Sequence, residues 1–381
     1  MLAHLKKALV GLLVTLVLLV VLEGLCSVGW VLGDYRYYKK KAHVAAEFKE
    51  EFHSRHDPEI GWVHIPGKQL KDFYGPGKTM SINADGLRGR EDYVGKKPAG
   101  KKRVLLLGDS FTLGYGVDDS QTFTAHLQQL HPGIQFVNMG QGGYSIGQCY
   151  QWFKREGMKL QPDAVVFSFI VDDFWRMAST RTGNGFATPD YQLSPDGTLQ
   201  ISGTPLPGKI GKGEALVEVA QKRRFLLERI SLARTMAALV GALPEPPKQK
   251  QRAEVYEVGQ AIIDRLRREL AAQHIPLVLV LLPEYNDLTQ ATFQNTYQGV
   301  SRALTGYCQP RNQPYVDLYP AFQQVGPPAE GYFLQEQWRH YSESGNAFVA
   351  NLIHQYLSHA LNEYLTSNGQ VPGNPLDVPH E

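Results

Sequence analysis

Cysteine is scarce in this sequence: Cys26, Cys149 and Cys308 are the only three among 381 residues. Their spacing contains no CxxC pair and nothing else typical of a metal site. The sequence therefore predicts no metal site, and nothing in it implies an organic cofactor. For Cys149 and Cys308 two interpretations stay open, a disulfide formed in an oxidising compartment or two buried thiols.

An excess of charge of either sign is lacking too. The chain has 39 basic and 37 acidic residues, which gives a formal net charge of +2. No basic stretch is interleaved with aromatic residues, so we predict no nucleic-acid partner. Internal repeats are also lacking. Because 43% of the 381 residues are hydrophobic, the chain is long enough to bury the core of one large domain.

The N-terminus carries a long apolar run. After Lys6 and Lys7, residues 8–22 are apolar apart from one glycine and one threonine, and the run resumes after Glu23 to about residue 32. A helix needs about 20 mainly apolar residues to cross the hydrocarbon core of a bilayer. Residues 1–32 are therefore predicted to form a membrane anchor, and the polar residues 33–55 a helical stalk.

A cleaved signal peptide is the alternative, because a charged start and a 15-residue apolar core also fit one. No small-x-small cleavage site follows the run cleanly, and Leu25 before Cys26 does not fit lipoprotein processing. We therefore favour a retained single-pass anchor. Basic residues lie on both sides of the run, so the positive-inside rule gives no orientation. We expect the folded domain outside the cytoplasm.

The rest of the chain alternates between strands and helices. Apolar runs predict strands at 103–107, 134–138, 164–171, 276–282 and 314–318. Longer segments predict helices at 121–130, 253–273, 288–304 and 342–365. This alternation is typical of a doubly wound parallel sheet. We predict a three-layer α/β/α, flavodoxin-like sandwich with a central, mostly parallel sheet.

Residues 56–365 are predicted to form this domain, with an insertion at about 178–252 that we interpret as a lid. Within the insertion, 191–202 predicts a hairpin around a Pro-Asp-Gly turn, and 224–243 predicts an amphipathic helix. Before the first main strand, 56–68 and 81–91 are rich in turn-forming residues and predict ordered loops with short strands. The Pro/Gly-rich tail 366–381 is predicted to be disordered.

A serine follows the first main strand. Ser110 comes after the run 103–107 and the Gly108-Asp109 break, which places it at the carboxyl edge of the sheet, where open α/β folds bind ligands. The tripeptide alone also describes an ordinary turn. The longer string VLLLGDSFTLGYG at 104–116, however, resembles the first signature block of the GDSL/SGNH hydrolase superfamily. The resemblance implies that Ser110 is a nucleophile whose N–H helps to bind the oxyanion.

Two further strings extend the resemblance. NMGQGGYS at 138–145 resembles the second block, in which a glycine N–H binds the oxyanion; Gly143 is the best match and Gly140 the alternative. HYSESG at 340–345 resembles the last block, in which the histidine, here His340, acts as base. A serine hydroxyl is a weak nucleophile until an imidazole takes its proton. The resemblance covers about residues 56–365 and implies the SGNH hydrolase fold of bacterial membrane-anchored esterases.

The third block departs from the family pattern Gly-x-Asn-Asp, because Asp172 stands where the asparagine donates to the oxyanion. An ionised carboxylate only accepts hydrogen bonds, and it repels a developing negative charge. Asp172 serves at this position only when it is protonated. Otherwise another donor has to replace it, and Asn138 and Gln141 are the candidates.

The last block departs as well. Gln337 occupies the position three residues before His340, where the family has the acid of the triad. A glutamine can orient the imidazole but gives no charge to stabilise its protonated form. Glu336 and Asp317 are alternative acids. We favour a Ser110–His340 dyad oriented by Gln337 or by a backbone carbonyl.

Together these residues predict a serine esterase that cleaves or transfers a short acyl ester. The resemblance and the membrane anchor favour an acylated carbohydrate of the cell envelope, or an exported glycan, as the substrate. An O-acyltransferase is one alternative, since it passes through the same acyl-enzyme. A catalytically weakened glycan-binding protein on the same fold is another, and the Asp172 and Gln337 departures favour it.

Overall fold

The computed structural model describes residues 1–47, 50–95, 97–178, 180, 186–208, 252–325, 329–335 and 339–366. These residues belong to two compact units. The first contains the N-terminal helix, and the second contains every other helix and strand named below.

The N-terminus is one long helix, α1 (Leu2–Glu47). Its segment Ala3–Gly29 is long and apolar enough to cross a membrane, with a mean hydropathy of 2.7, and it is not buried within the protein. A signal sequence shares these features. The helix continues past residue 32 without a break, so it includes residues 33–47 of the predicted stalk.

Short elements lead into the main sheet. They are α2 (Glu50–His53), β1 (Ser54–Asp57), β2 (Gly61–His64), β3 (Gln69–Leu70) and β4 (Met80–Ser81). Strand β1 pairs antiparallel with β2, and β3 with β4. The ordered loops with short strands that the sequence predicts before the main sheet are thus confirmed.

The remaining strands form the main sheet and one hairpin. They are β5 (Lys102–Leu107), β6 (Ile134–Asn138), β7 (Ala164–Phe169), β8 (Asp190–Leu193), β9 (Leu199–Ser202), β10 (Leu277–Leu281) and β11 (Tyr315–Asp317). The main sheet has the order β11-β10-β7-β5-β6, and each neighbouring pair is parallel. The order reverses direction at β5, which confirms the predicted doubly wound topology.

Helices follow most of these strands. They are α3 (Ser110–Leu113), α4 (Phe123–Leu130), α5 (Ile146–Glu156), α6 (Asp172–Trp175), α7 (Arg252–Ala271), α8 (Tyr285–Thr289), α9 (Ala291–Cys308), α10 (Tyr319–Gln324) and α11 (Glu343–Thr366). The prediction of one helix at 288–304 is wrong at its start, because two helices share this segment. Gln290 is extended (φ −124°, ψ 120°) and separates α8 from α9.

The strands are apolar on both faces because helices cover both. Val104 and Leu106 of β5 belong to a core shared with α4 and α11, among them Leu127 and Val349. Side chains alternate along a strand, so Leu105 points to the opposite face, and it is fully buried as well. Continuous apolar runs of this kind are what a two-sided parallel sheet requires.

One side chain occupies the outer edge of β6, the last strand of the sheet. Gln128 of α4 donates from Nε2 to the carbonyl of Ile134 at 2.8 Å, and its Oε1 accepts from the N–H of Phe136 at 3.0 Å. These two groups point away from β5, whose ladder uses the alternate residues of β6. The carboxamide therefore satisfies backbone groups that a sixth strand would otherwise pair with.

The predicted insertion is described only in part. Strands β8 and β9 pair antiparallel across the turn, as predicted. The helix predicted at 224–243 and the tail from residue 367 lie outside the described residues. Cys149 and Cys308 are buried and unlinked, which agrees with the interpretation as thiols.

Candidate active site

Ser110 stands at the carboxyl edge of the sheet, at the first position of α3. The preceding Asp109 caps that helix, with its Oδ1 accepting from the N–H of Phe111 at 2.9 Å. Gly108 is required in the turn, because a Cβ there would lie 2.1 Å from Thr112 Oγ1 and 2.4 Å from the Ser168 carbonyl oxygen. The turn therefore fixes the serine at the point where β5 ends.

His340 meets Ser110 across 230 residues of sequence. Its Nε2 lies 2.8 Å from Ser110 Oγ, and both residues are buried. The imidazole packs against Phe111 and Tyr115, with ring centroids 4.6 Å and 5.3 Å away. The next residue, Tyr341, donates its hydroxyl to the carbonyl of Pro283 at 2.8 Å, which ties this segment to the chain after β10. The two side chains that the sequence predicts to act together are thus brought together.

The family resemblance implies that two backbone N–H groups, those of Ser110 and Gly143, bind the oxyanion. Within the described part of the chain, the N–H groups of Ser110 and Gly143 donate to no acceptor. Gly143 is in the left-handed region (φ +71°), which favours glycine, and it is partly exposed. The alternative, Gly140, donates its N–H to Asn138 Oδ1 at 2.9 Å and packs tightly on Leu113. Gly143 therefore fits the oxyanion position better than Gly140.

Asp172 lies at the start of α6, where it is exposed. It lines a cavity of about 80 Å³ together with Trp175, Glu284 and Asp287. Burial, followed by the charge of Asp172, raises the pKa of Glu284 well above its usual value. Burial also raises the pKa of Asp287, to about 7. Asp172 therefore lies beside two further carboxyl groups, whose raised pKa values favour their neutral form.

The two replacement donors differ in how they are bound. Both polar atoms of the Asn138 side chain already have hydrogen-bond partners, because Nδ2 donates to the Thr112 carbonyl at 2.7 Å and Oδ1 accepts from the N–H of Gly140. Gln141 is fully buried, and neither atom of its carboxamide has a hydrogen-bond partner among the described residues. Its backbone N–H donates to the carbonyl of Gly108 at 3.1 Å, so it stands beside the serine turn.

The acid position cannot be compared with the prediction, because Glu336 and Gln337 lie outside the described residues. Asp317, the distant alternative, is engaged elsewhere. Its Oδ1 accepts from the hydroxyl of Tyr297 at 2.7 Å and from the N–H of Tyr319 at 2.9 Å, and its Oδ2 accepts from Ser301. These donors satisfy both oxygens of the Asp317 carboxylate, so its position is explained without a role toward His340.

An arginine that the sequence analysis missed lies behind the serine turn. Arg176 Nη1 is 2.9 Å from Asp109 Oδ2 and 2.8 Å from the Tyr144 carbonyl oxygen, and it also contacts Asp173 Oδ1. Both carboxylates are fully buried, whereas the arginine side chain is about a quarter exposed. In sequence, the only signal is an arginine three residues after a buried aspartate, a spacing common on helix surfaces.

The family model for GDSL-like lipases and acylhydrolases matches residues 106–348, more than half of the chain, including Ser110 and His340. The chain belongs to this family. Its α/β/α fold and superfamily are therefore those that the sequence predicts, and membership places it among ester hydrolases at the level of the family. No curated protein matches the chain.

Solved structures similar to this chain share few identical residues with it. A member of the lipolytic G-D-S-L family from Veillonella parvula is 12% identical, covering 68% of this chain and 99% of its own, with a TM-score of 0.38. A lipase/acylhydrolase from Enterococcus faecalis is 17% identical, covering 67% and 95%, with a TM-score of 0.36. A catalytic mutant of an acetylxylan esterase from Geobacillus stearothermophilus is 15% identical, covering 68% and 95%, with a TM-score of 0.42.

Proposed function

We propose that this protein is a serine esterase with Ser110 as nucleophile and His340 as general base. The observation that supports the proposal is the 2.8 Å separation of Ser110 Oγ and His340 Nε2. That distance is within the reach that proton transfer between a nucleophile and its base requires. The aromatic rings packed on the imidazole restrict its orientation, so the pair is organised before a substrate binds.

The reaction then follows from this pair. As Ser110 Oγ attacks the acyl carbonyl, its proton passes to His340 Nε2, and the carbonyl oxygen becomes an oxyanion held by the N–H groups of Ser110 and Gly143. Collapse of this intermediate breaks the ester bond, and the imidazolium returns the proton to the departing alcohol. Water, activated by the same imidazole, releases the acid and regenerates the serine.

We propose Gln141 as the third donor to the oxyanion, in place of Asp172. A buried amide without a partner loses about 1–3 kcal/mol of hydrogen-bonding free energy, so it is retained where a ligand or an intermediate supplies the acceptor. Asn138 is excluded from this role by its bonds to Thr112 and Gly140. Asp172 remains a donor only in its protonated form.

For the orientation of the imidazole we propose a dyad, with Gln337 or a backbone carbonyl accepting from Nδ1 of His340. Glu336 would need a one-residue slip of the backbone to take the acid position, because adjacent side chains point in different directions. Replacing Glu336 by glutamine is then expected to change turnover little. A loss approaching the roughly 10⁴-fold typical of removing the acid of a triad would instead identify Glu336 as the acid.

As substrate we propose a short acyl ester on a glycan of the envelope or on an exported glycan, with the protein held at the membrane by α1 and its domain outside the cytoplasm. The apolar segment Ala3–Gly29 supports the anchor. An O-acyltransferase uses the same acyl-enzyme and differs only in the acceptor. The departures at Asp172 and Gln337 favour a third candidate, a glycan-binding protein with little activity, because an ionised Asp172 opposes an oxyanion and Gln337 gives no charge to the imidazolium.

A fluorophosphonate probe tests the esterase. The full-length protein in detergent is expected to be labelled and to hydrolyse a chromogenic acetyl ester, and Ser110→Ala should abolish both. Ser168→Ala, which alters a buried serine of the neighbouring strand β7, is the matched control and should retain labelling. Unchanged hydrolysis in Ser110→Ala would refute the proposal.

The anchor is tested by membrane fractionation. The full-length protein should stay with membranes after carbonate extraction, and protease added to intact spheroplasts should digest its domain. Release by carbonate contradicts the retained anchor, and a protected domain contradicts its placement outside the cytoplasm.

A further inference from the structure

A single guanidinium nitrogen connects three separate segments at the carboxyl edge of the sheet. Arg176 Nη1 lies within hydrogen-bond distance of a side chain after β5, a backbone carbonyl after β6 and a side chain after β7. The three acceptors belong to Asp109, Tyr144 and Asp173. The segments after β5 and β6 are also linked by the N–H of Gln141, which donates to the Gly108 carbonyl at 3.1 Å, and the arginine links both of them to the segment after β7.

Two of the contacts are one residue away from a proposed oxyanion donor, because Asp109 precedes Ser110 and Tyr144 follows Gly143. The third, Asp173, follows Asp172, which stands at the third-donor position of the family pattern. A shift of any of these segments by a fraction of an ångström moves the adjacent N–H group relative to the oxyanion. Misplacement of about 1 Å in an active site can cost about 10²-fold in rate.

The charges at this point reinforce the contacts. Burial opposes the charged form of Arg176, but the carboxylates of Asp173, Asp109 and Asp172 outweigh it and raise the guanidinium pKa above its usual value. Burial and the neighbouring Asp109 raise the pKa of Asp173, against the effect of Arg176. The guanidinium is therefore held in its charged form by acidic side chains on the segments after β5 and β7.

We propose that Arg176 is a positioning residue for the oxyanion site, an inference that rests on the proposed esterase function. It holds the segments that carry Ser110 and Gly143 in register, so that both N–H groups point at the same oxygen. It does not touch the substrate itself. Its contribution is therefore to turnover and not to substrate binding.

The test is Arg176→Lys in the full-length protein, because lysine keeps the charge and loses the planar fork. Removing the charge altogether would leave two buried carboxylates uncompensated and risk unfolding. The matched control is Arg103→Lys. Like Arg176, Arg103 is bound to backbone carbonyls, those of Tyr93 and Leu160, but it is fully buried and lies at the opposite end of β5 from Ser110.

In Arg176→Lys, kcat and the rate of phosphonylation by the fluorophosphonate are expected to fall together by about 10–100-fold, with KM within about threefold of wild type. Arg103→Lys should lower the melting temperature at least as much and leave kcat near wild type. Hydrogen exchange should accelerate in residues 109–113, 141–146 and 170–175 in Arg176→Lys alone.

Three results would overturn the inference. One is a rise in KM at unchanged kcat; another is a loss of kcat in Arg103→Lys equal to that in Arg176→Lys; the third is unaltered exchange in the three segments. A wild-type protein that is neither labelled nor active refutes the proposed esterase instead. In that case the exchange measurement still decides whether Arg176 holds the three segments together.

Discussion

The two halves of the carboxyl edge differ in chemistry. After β5, Ser110 presents its hydroxyl and its N–H group, and after β6, Gly143 presents its N–H group. His340 lies beside the hydroxyl and packs among aromatic rings. After β7 and β10, Asp172 and Glu284 present carboxyl groups around a small cavity, and that of Asp172 is exposed. The first half brings a hydroxyl beside an imidazole, whereas the second gathers acidic side chains.

In the proposed mechanism, the nucleophile and the third oxyanion donor therefore depend on different segments of the sheet edge. The serine turn depends on a glycine and a cap within β5–α3, so it is determined locally. The third donor depends on a single side chain after another strand. A change at that position leaves the nucleophile pair intact, and turnover then depends on whether a second amide compensates.

The largest effect is expected from the β5 half. His340→Ala should lower turnover by about 10⁴-fold or more, because the serine loses the base that takes its proton. Steady-state hydrolysis of a chromogenic acetyl ester measures it. His354→Ala, which alters a partly buried histidine of α11, is the control and should stay near wild type. A comparable loss of turnover in His354→Ala would mean that the loss in His340→Ala reflects impaired folding and not removal of the base.

A smaller effect is expected from Gln141→Met. Turnover should fall by about 10²-fold if the amide is an oxyanion donor, yet stability should not fall, because an unpartnered buried polar group is removed. Kinetics and urea unfolding on the same samples separate the two effects.

The control is Gln313→Met. The Gln313 amide is buried and donates to the carbonyl of Leu277 at the start of β10. This variant should lose stability and keep its turnover. Unchanged turnover in Gln141→Met would remove Gln141 from the oxyanion site.

The β7–β10 half is expected to respond to pH. The pKa of Asp287 is raised to about 7, above the value near 4 of an unfolded chain, so the folded protein holds a proton that the unfolded chain releases. Stability is therefore lost as pH rises from about 4 to about 7. Asp287→Asn should be more stable than wild type by about 2 kcal/mol at pH 8, with little difference at pH 4.5.

Urea unfolding at the two pH values measures this difference. Asp264→Asn is the opposite control, because hydrogen bonds from Arg267 and Tyr307 outweigh burial and lower the pKa of Asp264. That variant should be less stable than wild type at pH 8. Equal stability of Asp287→Asn and wild type at both pH values would contradict the raised pKa.

The smallest effect is expected from Asp172→Asn, which restores the amide of the family pattern. Because Asp172 is exposed and Gln141 is the proposed donor, turnover should rise by no more than about tenfold. A gain of about 10²-fold would show that the third donor is missing in the natural chain. The double variant Asp172→Asn with Gln141→Met shows whether the asparagine at position 172 replaces the Gln141 amide as oxyanion donor or acts independently of it.

The fold and the position of Ser110 at the sheet edge could be predicted because their signals are local. A continuous apolar run such as β5 requires burial on both faces, and the Gly108 break after it places Ser110 at the edge. His340 was found by resemblance, since its meeting with Ser110 depends on tertiary packing. The break at Gln290 was missed because α8 and α9 together look like one helical segment.

Arg176 could not be predicted for a related reason. Its three acceptors converge only after β5, β6 and β7 are adjacent, and one of them is a backbone carbonyl, which no residue type reveals. The choice between Asn138 and Gln141 also needed the structure, because both are neutral amides in the same block. They differ because the fold supplies hydrogen-bond partners to the side chain of Asn138 and, among the described residues, none to that of Gln141.

The Gln128 carboxamide on the outer edge of β6 has a consequence for solubility. Strand edges with open N–H and C=O groups recruit strands from other molecules and so initiate aggregation. A strand approaching β6 would have to displace two side-chain hydrogen bonds before it gained any of its own. At the other edge, β11 offers only three residues. Intermolecular strand pairing is thus hindered at one edge by a side chain and limited at the other by length.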